Sequence, residues 1–562
     1  MKDRIWWPLA VSLVLAVALG VGILIGEHRA VTGGHALYSS KTDNDAASDN
    51  ADDEMSSYEA TAKMSYFFSL LHDRYVDTIS LRQLVEDALP VIVDELDPHS
   101  NYIPASELEE TNEQLEGSFS GVGIQFNIQQ DTVMVIQVIA GGPSEKAGII
   151  AGDRIVTVND TTFCGKDINN DRVLKTLRGE KGSHVKLGIH RATSQEVLHF
   201  DITRGDIPVN SVVASYITDG IGYIRVDNFG RNTYQEFFTS LITLRSKGAE
   251  GFLIDLRGNG GGYLEVCIQM VNEFLPKGSL IVYTEGRTQP RADVYADGHG
   301  NFQQVPVVVL IDDWSASASE IFSGALQDND RATIIGRRSF GKGLVQQQFP
   351  LEDGSALRLT VSRYYTPAGR CIQKPYEMGD RDKYLMELVN RYNHGEFYNQ
   401  DSIRLADSLR FETVGGRSVY AGGGIMPDIF VPVDTDYISA YYNKCINSGV
   451  IYAYSFQYSD SRREQLAAFK DYSEMASYLR QQNLLDKFVQ YAETKNIKRD
   501  ARGLARSGAE IERLIIAYIM RQSGHENFFY EMFNSSDKTY LKGLEVLHSG
   551  KAWPEVKTAA EQ

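Results

Sequence analysis

The chain is 562 residues long, and its length, composition and charge already exclude several classes of protein. At roughly 150 residues per domain it has room for three or four domains, which excludes a single small binding module. Hydrophobic residues make up 43% and charged residues 23%, which is typical of a globular protein and not of a disordered or collagen-like chain. Acidic residues number 74 against 56 Lys and Arg, and the resulting formal charge of −18 disfavours nucleic acid as a partner.

The N-terminus predicts a membrane anchor. Residues 5–26 form an uncharged, mostly aliphatic run that is long enough to span a bilayer. Lys2 and Arg4 precede this run and an acidic stretch follows it, so the positive-inside tendency keeps the N-terminus in the cytoplasm and exports the rest. A cleaved signal peptide is the alternative, but the run is longer than a usual signal-peptide core and no clear small-x-small site closes it. We therefore expect residues 1–32 to be a cytoplasmic stub and an uncleaved signal anchor.

The next three segments differ in composition and in hydrophobic period. Residues 33–57 are rich in Asp, Ser, Asn and Ala and predict an acidic flexible tether. Residues 58–116 carry apolar positions at helical spacing and predict an N-terminal helical segment. Residues 117–205 change to short β-type runs between glycine-rich turns, which predict a compact β-rich domain. Its predicted strands include residues 132–139, 154–158 and 185–189, with one short helix near 144–147.

The remaining chain predicts an α/β core followed by helices. In residues 206–436, apolar strands alternate with helical stretches, which indicates a sheet covered by helices. The strands include residues 221–226, 251–256, 305–312 and 332–335, and the helices include 234–245, 263–274 and 318–326. The i, i+3, i+4 spacing of residues 437–562 predicts a C-terminal helical domain. No chemistry is visible in that domain, and we interpret it as a packing or partner-binding module.

A glycine-rich segment follows the second strand of the core, where open α/β sheets place their ligands. This segment, DLRGNGGG at residues 255–262, has three adjacent glycines whose uncovered N–H groups suit an anion or an oxyanion. A dinucleotide fingerprint is excluded because Tyr263 stands where the third glycine would be needed. A tight strand-to-helix turn would also require glycine, so the pattern alone is a weak signal.

A serine-rich segment follows the strand at residues 305–312. Ser317 and Glu320 satisfy the capping box S-x-x-E, so the local pattern favours a helix N-cap. A serine in that position also lies beside free backbone N–H groups and the positive end of the helix dipole, where an oxyanion would be stabilised. The local pattern alone therefore favours a cap but leaves a nucleophile as the alternative.

The segment GRRSFGKG at residues 336–343 resembles a P-loop incompletely, because Gly343 stands where Ser or Thr would bind magnesium. A desolvated Lys342 would instead be able to act as general base for a serine, although a solvated turn lysine is the simpler interpretation. If this stretch is a strand, Gln346, four residues later, would lie on the same face as Lys342 and could orient its amine by a hydrogen bond. No metal-binding or cofactor motif is complete, so we expect neither a metal nor a cofactor.

These segments resemble the C-terminal processing peptidases, also called tail-specific serine proteases. The matching motifs are LDPHS (residues 96–100), DLRGNGGG (255–262), SASASEI (315–321), GALQDNDRA (324–332), FGKGLVQ (340–346), YYTPAGR (364–370) and GGI-x-PD (423–428). They stand in the family's order. A PDZ domain is indicated by GVGI at residues 121–124 and AGDRI at 151–155. The resemblance covers about residues 58–436 and says little about the C-terminal helices.

The resemblance implies a crotonase-like α/β protease core with an inserted PDZ domain. Carried over by position, it implies Ser317 as nucleophile, Lys342 as general base and Gln346 as the partner that orients the lysine. It further implies an oxyanion hole of backbone N–H groups near Gly260, Gly261 and Ala318, and a PDZ loop made of Gly121, Val122, Gly123 and Ile124. That loop would bind the C-terminal carboxylate of a substrate added as a strand.

The function predicted from the motifs is a membrane-anchored serine endopeptidase of the bacterial inner membrane, with its catalytic part in the periplasm or outside the cell. Its partners would be proteins or peptides with free C-termini, and the C-terminal helices would provide a homo-oligomer or adaptor contact. The alternative is a PDZ scaffold that has kept an inactive protease core. Ser317, Lys342 and Gln346 are all present, which favours the enzyme.

Overall fold

The computed structural model describes residues 55–129, 131–191, 194–404 and 406–554. The anchor expected at residues 5–26, and the tether up to residue 54, lie outside the described residues. Within the described ranges, no helix combines the length and the apolarity needed to cross a bilayer. The described residues divide into two compact units, one up to residue 95 and the other from residue 96 onward.

The described part of the first unit consists of helices α1 (Ser57–Arg74) and α2 (Leu81–Asp94). Each begins after a serine N-cap, as expected where a side-chain oxygen satisfies a free N–H group of the first turn. Ser56 Oγ accepts from the Glu59 N–H at 3.3 Å, and the Ser56 N–H donates to Glu59 Oε2 at 2.9 Å. Ser80 Oγ accepts from the Gln83 N–H at 3.2 Å.

The second unit opens with β1 (Asn101–Ile103) and α3 (Leu108–Glu116), and a β-rich region follows. Its elements are β2 (Ser118–Gly121), β3 (Ile124–Gln129), β4 (Thr132–Val138), α4 (Pro143–Ala147), β5 (Arg154–Val158), β6 (Thr161–Thr162), α5 (Asn170–Leu177), β7 (His184–His190), β8 (Leu198–Thr203) and β9 (Gly205–Pro208). An antiparallel sheet of order β3-β4-β5-β7-β8 encloses buried Val133, Ile155 and Leu187. Strands β2 and β9 pair with each other, so the chain enters and leaves this region through one ribbon.

The α/β core contains two large sheets and a two-stranded sheet of β19 and β20. Its elements are β10 (Val212–Thr218), β11 (Ile221–Val226), α6 (Thr233–Ser246), β12 (Gly251–Asp255), α7 (Leu264–Asn272), β13 (Leu280–Glu285), β14 (Ala292–Tyr295), β15 (Val307–Ile311), α8 (Ala318–Asp328), β16 (Thr333–Gly336), β17 (Leu344–Pro350), β18 (Ala356–Tyr365), α9 (Arg381–Asn393), β19 (Arg410–Glu412), β20 (Ser418–Tyr420) and β21 (Ile429–Phe430). The main sheet has the order β10-β11-β12-β15-β16-β21 and is parallel from β11 onward. The second has the order β1-β18-β13-β14, with β17 paired to β18. The strands and helices predicted for the core are confirmed to within about two residues.

Helices follow the core to the end of the described chain. They are α10 (Ala440–Asn447), α11 (Val450–Asp460), α12 (Arg463–Ala467), α13 (Tyr472–Arg480), α14 (Leu484–Thr494), α15 (Ala501–Gln522), α16 (Glu526–Asn534) and α17 (Lys538–His548). They cover one face of the main sheet, while α6, α7 and α8 cover the other. Alternate strand residues divide between the two layers: Leu253 packs in the cluster of the C-terminal helices and Ile254 in that of α6 to α8. The C-terminal helices therefore form one side of the hydrophobic core.

Candidate active site

Three segments meet where neighbouring parallel strands of the main sheet end. They are the glycine loop (residues 255–262) after β12, the serine loop (312–317) after β15 and the lysine loop (337–343) after β16. Backbone contacts join them: the Ala316 N–H donates to the Asn259 carbonyl at 2.9 Å, and the Phe340 N–H donates to the Ser315 carbonyl at 3.0 Å. The strand order thus brings together segments that lie far apart in the sequence, as the position of the motifs predicts.

Ser317 is the N-cap of α8, but its backbone is unlike that of an ordinary cap. Its φ is +57° and its ψ is −115°, whereas an N-cap residue normally adopts the β region. A non-glycine residue in this part of the map is strained, and such strain is concentrated at functional sites. The glutamate half of the predicted capping box is formed, because the Ser317 N–H donates to Glu320 Oε2 at 2.9 Å. A capping role alone does not account for the strained backbone.

The glycine loop lies directly against Ser317. A Cβ placed on Gly261, whose φ is +103°, would be 2.7 Å from Ser317 Cβ and 3.0 Å from the Ala318 nitrogen. Only glycine permits this approach. The Gly261 N–H donates to Asn259 Oδ1 at 2.8 Å, whereas no hydrogen bond within the described chain uses the N–H groups of Gly260 or Ala318. Among the described residues, two backbone donors are therefore open, one in the glycine loop and one on the residue that follows Ser317.

The Lys342 amine is held by the side-chain amide of Gln346, and a second hydrogen bond fixes the orientation of that amide. Its Nζ donates to Gln346 Oε1 at 2.9 Å, and Gln346 Nε2 donates to the backbone carbonyl of His99. Because the amide nitrogen must face that carbonyl, the amide oxygen must face the lysine. Burial and, to a smaller extent, the positive charge of Arg358 together lower the pKa of Lys342 to about 8. No hydrogen bond among the described residues joins the lysine amine to the Ser317 hydroxyl.

Glu320 joins the serine and lysine loops. Its fully buried carboxylate accepts the N–H groups of both Ser317 and Lys342, at 2.9 and 2.8 Å, on Oε2. Its Oε1 accepts the Gly341 N–H at 2.7 Å and the Ser339 hydroxyl at 2.5 Å. Burial raises the pKa of Glu320 to about 7, and these hydrogen bonds oppose that rise. The residue predicted as a capping partner therefore also fixes the backbone of the lysine.

Tyr364 joins the same two residues, Ser317 and Lys342, through their backbone carbonyls. Its hydroxyl lies 3.1 Å from the carbonyl oxygen of Ser317 and also donates to the carbonyl of Lys342. The ring is buried on β18, with 1% of its surface exposed. The backbones of Ser317 and Lys342 are thus linked twice, by Glu320 through their N–H groups and by Tyr364 through their carbonyls. Sequence reasoning assigned no role to Tyr364, although it lies in the quoted YYTPAGR motif.

The LDPHS segment contains His99, whose backbone carbonyl accepts the hydrogen bond from Gln346. Asp97 Oδ1 accepts the N–H groups of His99 and Ser100, at 2.9 and 3.0 Å, and closes a turn that fixes the His99 carbonyl. The imidazole Nε2 lies 2.8 Å from the Tyr384 hydroxyl. Burial lowers the pKa of His99 to about 3, so this ring adds no charge beside Lys342. Only the family motif pointed to this segment, because a backbone carbonyl leaves no side-chain pattern.

The PDZ loop, residues 121–124, lies in the β-rich region. The carbonyls of Val122 and Gly123 accept from the N–H groups of Ser144 and Ile139, at 2.9 and 3.0 Å. The N–H groups of Val122 and Gly123 make no hydrogen bond within the described chain. Gly123 has φ +79°, and a Cβ on it would be 2.9 Å from Ile207. In the described residues no hydrogen bond or ion pair joins this loop to Ser317 or Lys342, and no group of three His, Cys, Asp or Glu could hold a metal.

Comparison with known proteins gives matches to three family models. Residues 220–379 match peptidase family S41, residues 120–203 match a PDZ domain, and residues 441–523 match a family of unknown function (DUF8443). These matches agree with the resemblance predicted from the motifs and with the α/β core and PDZ domain of the predicted fold.

Several similar proteins are named for C-terminal processing. A carboxy-terminal-processing protease of Bartonella bacilliformis is 36% identical over 334 residues, which are 58% of this chain and 76% of that protein. The carboxy-terminal processing protease CtpB of Bacillus subtilis is 32% identical over 365 residues, 64% of this chain and 75% of that protein. Among solved structures, a photosystem II D1 C-terminal processing protease is 30% identical, with a TM-score of 0.32, over 56% of this chain and 86% of that one.

Proposed function

Because the chain belongs to the carboxy-terminal processing proteases of peptidase family S41, we propose that it is an endopeptidase in which Ser317 is the nucleophile and Lys342 the general base. The observation that carries this proposal is the double link between the two residues through Glu320 and Tyr364. It joins a strained serine to a buried lysine whose pKa is about 8. A lysine with this pKa is half neutral near pH 8, and only the neutral amine accepts a proton.

In the proposed first step, the neutral Lys342 amine removes the proton from the Ser317 hydroxyl as Oγ attacks the scissile carbonyl carbon. A C–O bond forms, and the electron pair of the C=O double bond moves to the carbonyl oxygen. The Lys342 ammonium then donates its proton to the leaving amine as the C–N bond breaks. In the second half, the neutral lysine removes a proton from a water molecule as the water oxygen attacks the acyl carbon, and the ammonium then returns that proton to Ser317 Oγ as the ester C–O bond breaks. Gln346 Oε1 keeps the amine aimed throughout.

We place the oxyanion hole at the N–H groups of Gly260 and Ala318, which are open in the structure. Gly261 contributes in another way, because its N–H is already bonded to Asn259 and its lack of a side chain lets the loop reach Ser317. The hydroxyl and amine do not yet share a hydrogen bond, and we propose that bound substrate completes that contact, since catalytic hydrogen bonds often tighten only in the substrate complex.

Substrates would be selected by their C-termini. The open N–H groups of Val122 and Gly123 suit a terminal carboxylate, and β3 offers a strand beside which an extended peptide would pair. We further propose that residues 5–26 anchor the protein in the bacterial inner membrane and that the protease is exported from the cytoplasm. This part of the proposal rests on the hydropathy and the flanking charges of that run.

The test is cleavage of one unfolded protein with a free or an amidated C-terminus, using the full chain in detergent. We expect proteolysis that Ser317→Ala abolishes, and a higher apparent KM for the amidated substrate. Equal rates for both substrates would contradict recognition of the carboxylate. Binding of free C-termini without any proteolysis by the unmodified chain would instead support the alternative, a PDZ scaffold with an inactive core.

A further inference from the structure

The glycine loop also forms hydrogen bonds with residues of the C-terminal helices. The guanidinium of Arg257, a residue of this loop, donates from Nη1 to Asp537 Oδ1 at 2.8 Å. Its Nη2 lies 3.5 Å from Asn534 Oδ1. Asn534 ends α16 and Asp537 is the N-cap of α17, so both partners come from the turn between the last two described helices. Nothing in the motifs predicted contact between these helices and the site.

Arg257 is fixed at both its side chain and its backbone. The guanidinium pairs with Asp255 through two hydrogen bonds, Nε to Oδ1 at 2.9 Å and Nη2 to Oδ2 at 2.7 Å. The Arg257 carbonyl accepts from Arg225 Nη2 at 3.0 Å. Asp255 is fully buried and the Arg257 side chain is only 13% exposed, so these bonds form in a low-dielectric environment. Charge-assisted bonds to an arginine fork define its orientation more sharply than neutral ones.

The rest of the loop depends on such anchors because it is mostly glycine. The Gly258 N–H donates to Asp312 Oδ1 at 2.9 Å, and Asn259 Nδ2 donates to the Val226 carbonyl at 2.8 Å. The next residue, Gly260, is exposed, and a Cβ added to it would lie within 4 Å of no residue other than its chain neighbours, so no side chain packs against that position. Its N–H group shares a planar peptide unit with the Asn259 carbonyl, which accepts from the Ala316 N–H and from the Ser319 hydroxyl, each at 2.9 Å. The direction of that N–H group therefore depends on how Asn259 and the residues before it are held. Of those, Arg257 is the one held by the C-terminal helices.

We propose that Asp537 is a positioning residue for the oxyanion hole, and that the turn between α16 and α17 completes the protease site by fixing Arg257 and hence the glycine loop. This inference rests on the proposed function, because it assumes that the Gly260 N–H stabilises the oxyanion. It gives the C-terminal helices a part in catalysis beyond covering the sheet. Asp537 touches no reacting atom and acts only through Arg257.

The first test is Asp537→Asn in the full chain. Asparagine retains the N-cap, where Asp537 Oδ1 accepts the Tyr540 N–H at 2.7 Å, and removes the charge that pairs with Arg257. We expect kcat to fall about tenfold with KM unchanged, because a misaligned oxyanion donor is felt only in the transition state. A peptidyl boronic acid, which forms a tetrahedral adduct with a catalytic serine, should lose affinity by the same factor. The pH midpoint of kcat should not move, because Lys342 is not affected.

Asp500→Asn is the matched control. Asp500 caps α15 by accepting the N–H groups of Arg502 and Gly503, each at 3.0 Å, and forms none of the described ion pairs. It should retain the kcat and the boronate affinity of the unmodified chain. Asp537→Glu separates charge from capping, because it keeps the carboxylate but is a poorer N-cap. It should retain more activity than Asp537→Asn.

Three outcomes would overturn the inference. The first is kcat and boronate affinity unchanged in Asp537→Asn. The second is a loss that the Asp500→Asn control shares or that follows a lowered melting temperature. The third is a displaced pH midpoint with unchanged boronate affinity, which would mean an effect on Lys342. Failure of the proposed function is distinguishable, because Ser317→Ala would then remain active whatever Asp537→Asn does.

Discussion

The chain uses the same four-residue pattern, S-x-x-E, at the start of two helices, and the two copies have different geometries. At Ser56 the φ is −61° and the ψ is 155°, and its hydroxyl accepts the Glu59 N–H in an ordinary capping box. At Ser317 the φ is +57°, and the Glu320 N–H donates to the serine's backbone carbonyl at 2.8 Å. Glu59 is exposed and its hydrogen bonds are local, whereas Glu320 is fully buried and reaches the lysine loop.

This difference teaches that a capping pattern reports a helix start but not what the cap residue does. Both glutamates accept the N–H of the serine that precedes them by three positions. The two copies differ in their tertiary contacts. The glycine loop packs against Ser317, and the lysine loop donates a hydrogen bond to Glu320, whereas Ser56 and Glu59 have no such contacts among the described hydrogen bonds. The strained backbone of Ser317 is therefore the local sign of a role beyond capping.

The largest expected effect separates the two serines directly. Ser317→Ala should lower kcat/KM by about 10⁴-fold or more, because it removes the proposed nucleophile. Ser56→Ala should leave kcat/KM unchanged and cost about 1 kcal/mol of local helix stability at most, since it removes only a cap. Steady-state proteolysis measures the first effect and circular dichroism of both variants the second. Comparable activity in the two variants would remove the functional distinction between the two caps.

Lys342→Arg should be almost as damaging as Ser317→Ala. Guanidinium stays protonated and cannot accept the serine proton, so retention of positive charge does not rescue the reaction. We expect a loss of about 10³-fold or more in kcat, as for removal of a general base in a catalytic pair. The control is the reverse exchange at an exposed position of β18, Arg363→Lys, which should have no effect. Substantial activity in Lys342→Arg would exclude lysine as the base.

Glu320→Gln should have a smaller but clear effect. The amide group would present an NH₂ where Glu320 now accepts two donors on one oxygen, so two buried donors would lose their acceptor. Each costs about 1 to 3 kcal/mol, and we expect a lower melting temperature and a loss of about 10- to 100-fold in kcat. Glu59→Gln is the matched control and should change neither. Equal effects of the two substitutions would mean that both glutamates merely cap.

The smallest expected effect is a displacement of the pH profile. Since the pKa of Lys342 is about 8, kcat/KM should rise with pH below about 8 and level off above it. Removing the nearby charge with Arg358→Gln lets Lys342 hold its proton more tightly, so the profile should move to higher pH and the rate near neutral pH should fall. Arg363→Gln, on the same strand, should leave the profile in place. A profile that moves to lower pH in Arg358→Gln would contradict this assignment of charge.

Local sequence patterns predicted most elements of the core. Continuous apolar runs such as that of β15 predict a buried strand, and the S-x-x-E pattern predicts the first residue of α8. The hairpin of β17 and β18 has no counterpart among the predicted elements, because β17 is rich in glutamine and mostly exposed toward its end. That hairpin carries both Gln346 and Tyr364. Of these two residues, Gln346 was indicated by its four-residue spacing from Lys342 as well as by the family motif, whereas Tyr364 was assigned no role.

The remaining features depend on contacts that no local pattern encodes. The bond from Gln346 to the His99 carbonyl joins residues that are 247 positions apart, and one partner is a backbone atom. The pair of Arg257 and Asp537 spans 280 positions and joins a motif to a helical region without one. Spacing predicts which residues share a strand or a helix face, but pairs of this kind follow from the order of strands and layers.

The ribbon of β2 and β9 has a consequence for how such a protease can diversify. Ser118 pairs with Pro208 and Gly121 with Gly205, so the two ends of the β-rich region leave the core side by side. A module attached in this way can be lengthened, shortened or replaced without altering the distance that the rest of the chain must bridge. Recombination at this ribbon would give the same protease core a different inserted domain, and hence, under the proposed role of the PDZ loop, a different peptide-binding site. New substrate preferences would then arise by exchange of a single insert, with no compensating change around Ser317.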